Sequence, residues 1–264
     1  MAALSPRLLR ATLRSVSLAA CVLAWHWAAT RHIDFGVASF RNVPSPQETL
    51  QAAAALLQSP KLATHLSASI GRVFAGYAVA ALLGIGLGLA IGRSRLLGAA
   101  LLPPLEVLRP IPAVAWIPLA ILMFPSSELS MVFITFIGAL FPILLNTIHG
   151  VEGIDARLVA SARSLGGRGA TVFANVILPG AAPSIVTGLS IGMGTAWFCL
   201  VTAEMISGQF GIGYYTWSSY IVQDYPDIIV GMLTIGIFGM GSSLLVKLAG
   251  NALMPWYFIG RKTI

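Results

Sequence analysis

The side chains able to do chemistry are few, and their positions separate them into three groups. Glu106 and Arg109 lie three residues apart, so they share one helical face and are placed to pair. Glu204 stands near the end of a long apolar run. The third group is the segment Arg157–Pro183, RLVASARSLGGRGATVFANVILPGAAP, a polar island with Arg157, Arg163 and Arg168 between two apolar stretches. Three guanidiniums this close together do not sit in hydrocarbon, so the island faces water. Gly166 and Gly167 predict one helix stop and Pro179 a second, giving two short helices joined by a turn. A helix at about Leu158 to Leu165 would put Leu158, Ala162 and Leu165 on one side, flanked by Arg157 and Arg168. That is a small knob shaped for a groove in a soluble partner. A solvated connector is the alternative, although loops of this length without a function are uncommon.

Other chemistries lack their residues. Cys21 and Cys199 both lie in apolar runs, far apart, and are expected to pack as small apolar groups. His26, His32, His65 and His149 are scattered, and no HExxH is present for a zinc peptidase. A phosphate loop needs Gly before its lysine, and Lys61, Lys247 and Lys262 follow Pro, Val and Arg. The chain is therefore expected to carry no catalytic site, no metal site and no cofactor. Any ATP hydrolysis would occur in a separate subunit.

The elements that hold these residues follow from composition. Of 264 residues 57% are hydrophobic and 9% charged, with a mean hydropathy of +0.85. Soluble domains carry roughly 25% charged residues, so this composition belongs to a polytopic, all-α membrane protein. The formal charge of +7 marks loops on one side of a membrane and not a nucleic-acid partner.

In chain order, Met1–Arg14 is basic and Ser15–Thr30 apolar, read as an uncleaved first span with a cytoplasmic N-terminus, the alternative being a signal peptide cleaved at Ala28-Ala29-Thr30. A polar stretch to about Leu66 contains Val43-Pro44-Ser45-Pro46, an extended step, and then a short amphipathic helix over Gln47–Leu57 ended by Pro60. Ser67–Gly92 is the second span, with Gly84, Gly88 and Gly92 lining a smooth stripe for close helix contact. Leu96–Phe124, carrying Pro103, Pro104, Pro110, Pro112 and Pro118, predicts a broken third span. Leu129–Ile148, with Pro142, is the fourth. Ile185 to about Ile206 is the fifth, with Gly188, Gly192 and Ala196 as a second small-residue stripe. A Gly-rich, aromatic turn (Ser207–Tyr215) and Asp224–Asp227 form an outer loop before the sixth span, Ile228 to about Leu248, with Trp256 and Tyr257 as interface anchors. Three parts result: 1–66, with an N-terminal cytoplasmic segment, the first span and an outer loop; a transmembrane domain 67–250 with the loop 150–184; and a cytoplasmic tail 251–264. Arg7, Arg10, Arg14, Arg93, Arg95, Arg157, Arg163, Arg168, Lys247, Arg261 and Lys262 then fall inside, while Arg31, Arg41, Lys61 and Arg72 fall outside. This imbalance supports cytoplasmic termini and an even number of spans, about six.

Ala160-Ser161-Ala162, Gly166 three residues on, and Val176-Ile177-Leu178-Pro179 nine residues later resemble a known signature. It is the cytoplasmic loop of permease subunits in bacterial binding-protein-dependent ABC importers: Glu-Ala-Ala, three residues, Gly, nine residues, Ile-x-Leu-Pro. Here Ala160 stands at the Glu position and Ser161 at the first Ala. Further runs are similar to the nitrate/sulfonate/taurine/bicarbonate branch: Val43–Pro46, Leu108–Pro112, Phe141–Thr147, and Ala203-Glu204-Met205 before Gly211-Ile212-Gly213. The resemblance implies a type I importer permease in the bacterial inner membrane, two permease copies, two ABC ATPase subunits, a periplasmic solute-binding protein and surrounding lipid. The ATPase-coupling residues it implies are Arg157, Leu158, Ala160, Ser161, Ala162, Arg163, Leu165, Gly166, Leu178 and Pro179. Glu106 and Arg109 are read as an interfacial pair or part of the solute pathway. Glu204 is read as a capped structural acid or part of an outer gate. An ion-coupled secondary transporter or channel is the competing class; it would need ionisable relays in several spans and inverted repeats, and neither is evident.

Overall fold

The computed structural model describes residues 6–36 and 39–259. Arg261, Lys262 and the end of the expected tail lie outside the described residues. The helices are α1 (Pro6–Thr30), α2 (Pro46–Gln58), α3 (Pro60–Arg93), α4 (Arg95–Leu108), α5 (Ile117–Met123), α6 (Ser127–Glu152), α7 (Ala156–Ser164), α8 (Gly169–Val172), α9 (Leu178–Ser207), α10 (Ile212–Ile221), α11 (Tyr225–Ala252) and α12 (Pro255–Ile259). A 3₁₀ turn precedes α5, and a π-helical turn, Phe173–Ile177, joins α8 to α9. Among the described residues the one extended pairing is a bridge between Asp34 and Ser39.

Among the described residues four helices are long and apolar enough to cross a membrane: α3, α6, the continuous run Gly169–Ser207, and α11. A fifth crossing is made if α4 and Ala113–Met123, bent by 83°, are counted as one broken span. The prolines at 110 and 112 sit at that bend, as expected for rings that supply no N–H to a helix. The expected first span does form a helix, α1. It is not among these four. At 34 residues α3 is about 50 Å long, well beyond the roughly 30 Å of hydrocarbon, so its ends project into polar surroundings.

The chain forms two compact units. In the unit of residues 1–63 and 215–233, α2 is opened by the extended step at Val43–Pro46. Ser45 Oγ accepts the Glu48 N–H at 3.3 Å, while the Glu48 carboxylate accepts the Ser45 N–H at 2.6 Å. This capping box, with Pro46 in the first turn, satisfies the free amides of the helix start. The same bonds hold the Glu48 carboxyl below the usual carboxylate range. Leu56 packs with Tyr215 and Val230 in a small apolar cluster. Pro60 ends α2, as expected, and also begins α3, with Ser59 between them.

In the unit of residues 64–214 and 234–264, α6 is the central helix. On one side it takes the α3 glycines: a Cβ at Gly84 would lie 2.9 Å from Ile143, at Gly88 2.6 Å from Thr147, and at Gly92 2.8 Å from Val151. On an adjoining face it takes α9, where Gly188 meets Asn146 and Gly192 meets Ile143 at similarly short range, and Ala196 is buried. Both small-residue stripes are therefore packing seams. Cys199 is buried, its sulfur against Gly138, whereas Cys21 is exposed on α1, so only Cys199 packs as expected. Outward-facing residues of these helices are apolar, for example Leu82 and Met240, the pattern of a surface solvated by lipid.

Candidate functional site

The island folds into a short capped helix against a buried base. Asp155 opens α7, its carboxylate accepting the Arg157 N–H at 2.9 Å and the Arg157 guanidinium at 2.7 Å. Those bonds hold Asp155 below the usual carboxylate range. At the other end Gly166 N–H donates to Arg163 O and Gly167 N–H to Ala162 O. With Gly166 at φ +87°, this is a Schellman closure. The two glycines have different reasons: Gly166 needs the left-handed backbone, and a Cβ at Gly167 would lie 2.6 Å from the Ala162 carbonyl oxygen.

Two expectations are corrected here. Leu158, Ala162 and Leu165 do not share a side. Ala162 and Val159 turn inward onto a core of Val151, Val172, Ile177, Ala181 and Ile185, while Leu158 is 59% and Leu165 89% exposed. The helix ends at Ser164, so Leu165 leaves with the cap and not with the helical face. Nor does Pro179 stop a helix. It lies in the first turn of α9, directly after the π turn, and Leu178 N–H reaches back five residues to Phe173 O. The wider turn absorbs the proline and lets the helix continue unbroken from Gly169 to Ser207. Arg157, Ala160, Ser161, Arg163, Gly166 and Leu178 are all exposed, and Pro179 is half-buried.

A second constellation surrounds Glu204. His65, Ser69 and Arg72 recur at i, i+4 and i+7 along α3 and so share a face. Arg72 Nη1 donates to Glu204 Oε1 at 2.8 Å and to Phe210 O at 2.6 Å. Its Nε and Nη2 grip both Glu128 oxygens, at 2.7 and 2.5 Å. Ser69 Oγ donates to Glu204 at 2.8 Å. The three successive amides that open α10 each find an α3 or α9 acceptor: Gly211 N–H donates to His65 Nδ1, Ile212 N–H to Ser69 Oγ, and Gly213 N–H to Glu204 Oε2. A carboxylate at a helix N-terminus satisfies free amides and faces the positive end of the helix dipole. Glu204 is fully buried and Arg72 5% exposed, whereas the Glu128 side chain is 62% exposed.

The sequence singled out Glu204 and missed its partners. Arg72, expected among the outside charges, is a buried member of α3. Glu128 lies in the first turn of α6. The α3 spacing of His65, Ser69 and Arg72 is the signal that could have found the cluster. Glu106 and Arg109 form no ion pair with each other, and both are exposed, although Arg109 still has helical backbone as the cap of α4. Arg109 instead lines a cavity of about 300 Å³ with Ile111, Phe141 and Thr195.

A bundle of long apolar helices around a small-residue seam, interrupted by one short capped helix, defines a polytopic membrane permease. The chain belongs to the family described as "binding-protein-dependent transport system inner membrane component", whose model matches residues 80–258. It is 40% identical to a putative ABC transporter permease protein of Methanocaldococcus jannaschii over 208 residues, 78% of this chain and 76% of that protein. It is 34% identical to a nitrate import permease protein of Synechocystis sp., covering 81% of each. It is 33% identical to a putative aliphatic sulfonates transport permease protein of Bacillus subtilis, covering 84% of this chain and 80% of that protein. The chain is thus the multi-pass inner-membrane permease subunit of an ABC importer. Membership implies an ATPase and a solute-binding protein as its partners, and permeases of this kind are not themselves enzymes.

Proposed function

We propose that residues 150–184 lie in the cytoplasm and receive the stroke of the ATPase subunits on α7. The observation that carries this is a pair of exposed leucines, Leu158 on α7 and Leu165 at its C-terminal cap, beside a helix whose inward side is anchored in a buried core. An exposed apolar knob on a charged helix is unfavourable in water and suits a groove in a partner. The unbroken run from Gly169 to Ser207 makes this knob part of a lever, since force on α7 passes through Val172 and Ile177 into α9. Two copies of the chain would stand side by side in lipid. Closure of two ATPases would draw their loops together and tilt the spans. In this reading 1–66 is the entry segment, 67–250 the permease domain, and 251–264 a cytoplasmic tail.

The solute is inferred to be a small anion, in line with the nitrate and aliphatic sulfonates named for the similar proteins. Arg109, a cation beside a cavity, is the pathway candidate, with Glu106 at the same helix end; Glu204 is a positioning residue for the turn at 208–213. Uptake by a deletion strain given nitrate, an alkanesulfonate or taurine as sole nitrogen or sulfur source would identify the solute.

The placement of the loop is tested with Ser161→Cys in a Cys21→Ser/Cys199→Ala background. A membrane-impermeant maleimide should label it in inverted vesicles only, and ATPase subunits should protect it. Labelling in right-side-out vesicles would end the proposal.

A further inference from the structure

A groove of about 440 Å³ runs between α7 and the corner where α3 gives way to α4. Arg93, in the last turn of α3, and Arg95, the first residue of α4, are set on either side of Ser94, which caps α4 by accepting the Leu97 N–H. Arg163 reaches the same groove from α7. Val159, Ala160 and Ile177 complete the wall on that side. No carboxylate lines the groove, and among the described residues none of the three arginines forms an ion pair. The nearby acid Asp155 is already held by Arg157, and Ala160 brings no charge where the resembling loop signature has Glu.

Three guanidiniums around one concave site repel one another unless an anion lies among them. Their planar, forked donors match an oxyanion with several acceptor oxygens better than they match a halide. We propose that this groove binds a phosphate-type oxyanion, held by Arg93, Arg95 and Arg163 against the inner side of α7. Arg93 closes a membrane-spanning helix, so a phospholipid headgroup can reach the site from the bilayer edge; free phosphate could reach it from water. The bound anion would join the base of α7 to the end of α3. The site is defined by its arginines alone. A failed labelling of Ser161→Cys would overturn the coupling proposal and leave this one standing.

The test uses the purified full chain in an uncharged detergent. Native mass spectrometry would count retained phosphatidylglycerol against phosphatidylcholine, and inorganic phosphate would be titrated into lipid-free protein. Wild-type chain should bind one of these probes saturably, with phosphatidylglycerol marking the headgroup and phosphate the free anion. Arg93→Gln, Arg95→Gln or Arg163→Gln alone should each weaken binding by about tenfold, the loss expected for one charge-assisted contact. The triple variant should abolish it while unfolding at the same temperature as wild type without probe. A control of equal charge, Arg31→Gln/Arg41→Gln/Lys61→Gln, should bind normally. Equal loss in that control, or unchanged binding in the triple variant, would overturn the site. So would a triple variant that keeps both probes but loses affinity for the ATPase, since the groove would then take a partner's acidic side chain.

Discussion

Arg72 and Glu204 stand 132 positions apart in the chain and meet at 2.8 Å in a place closed to solvent. Each side of that contact is completed by others: Ser69 and Gly213 on the carboxylate, Glu128 and Phe210 on the guanidinium. A charge buried at this depth persists only when its remaining hydrogen-bonding capacity is met. The cluster therefore ties α3, α6 and α9 to the turn that opens α10.

Breaking the pair from one side should be costly. Arg72→Met leaves the Glu204 carboxylate buried without its cation, and a loss of about 3–5 kcal/mol is expected. Arg72→Met/Glu204→Gln should lose less than the two single variants added together. Glu128→Gln, on the exposed branch, should cost only about 1 kcal/mol or less. Thermal unfolding in detergent measures all four variants, Glu204→Gln included, and additive losses would mean that the two residues are not coupled.

Gly211 has φ +125°, and a Cβ there would fall on the Glu204 carboxylate. Gly211→Ala should therefore displace the turn and destabilise the protein. Gly71→Ala, in α3 with nothing within 4 Å of its added carbon, should be neutral or stabilise by about 0.5–1 kcal/mol. The contrast is read from unfolding temperatures of the two purified variants.

The seam between α3 and α6 makes a similar pair. Gly88→Ala would bring its Cβ within 3.0 Å of the Leu144 backbone oxygen, which cannot swing aside as a side chain can. A loss of roughly 1–3 kcal/mol is expected from forced separation. Gly86→Ala, two residues away and facing open space, should not lower stability. Equal behaviour of the two would refute close helix contact.

The pH behaviour of α7 follows from Asp155. Its folded carboxyl is held below the unfolded value by the Arg157 guanidinium and N–H. The cap's contribution is thus complete above the ordinary carboxylate range and is lost as pH falls through the depressed folded value. Protection of the α7 amides against hydrogen exchange, relative to the intrinsic rate at each pH, should fall in acid below that range and stay unchanged from neutral pH down to it. Asp155→Asn, which can still accept the Arg157 N–H, should remove the pH step and keep part of the cap.

Composition and periodicity alone determined the membrane class, the all-α architecture, the broken third span and the two glycine seams. Each of these depends on a local property: apolar runs, proline's missing N–H, or residues small enough for two backbones to approach. The end of the short helix at the island was legible too, because Gly166 and Gly167 act within a single turn of their own positions; the Asp155 cap that opens it was not singled out. Which leucines of that helix face outward depended on a core assembled from α6, α8 and α9, and no local pattern carries that. The passage of Pro179 through a continuous helix depended on the π turn before it. The union of His65, Ser69, Arg72, Glu128 and Glu204 was decided by tertiary structure alone. Electrostatic pairing acts through space, and a linear chain does not announce which distant charges its folding will bring within 3 Å of one another.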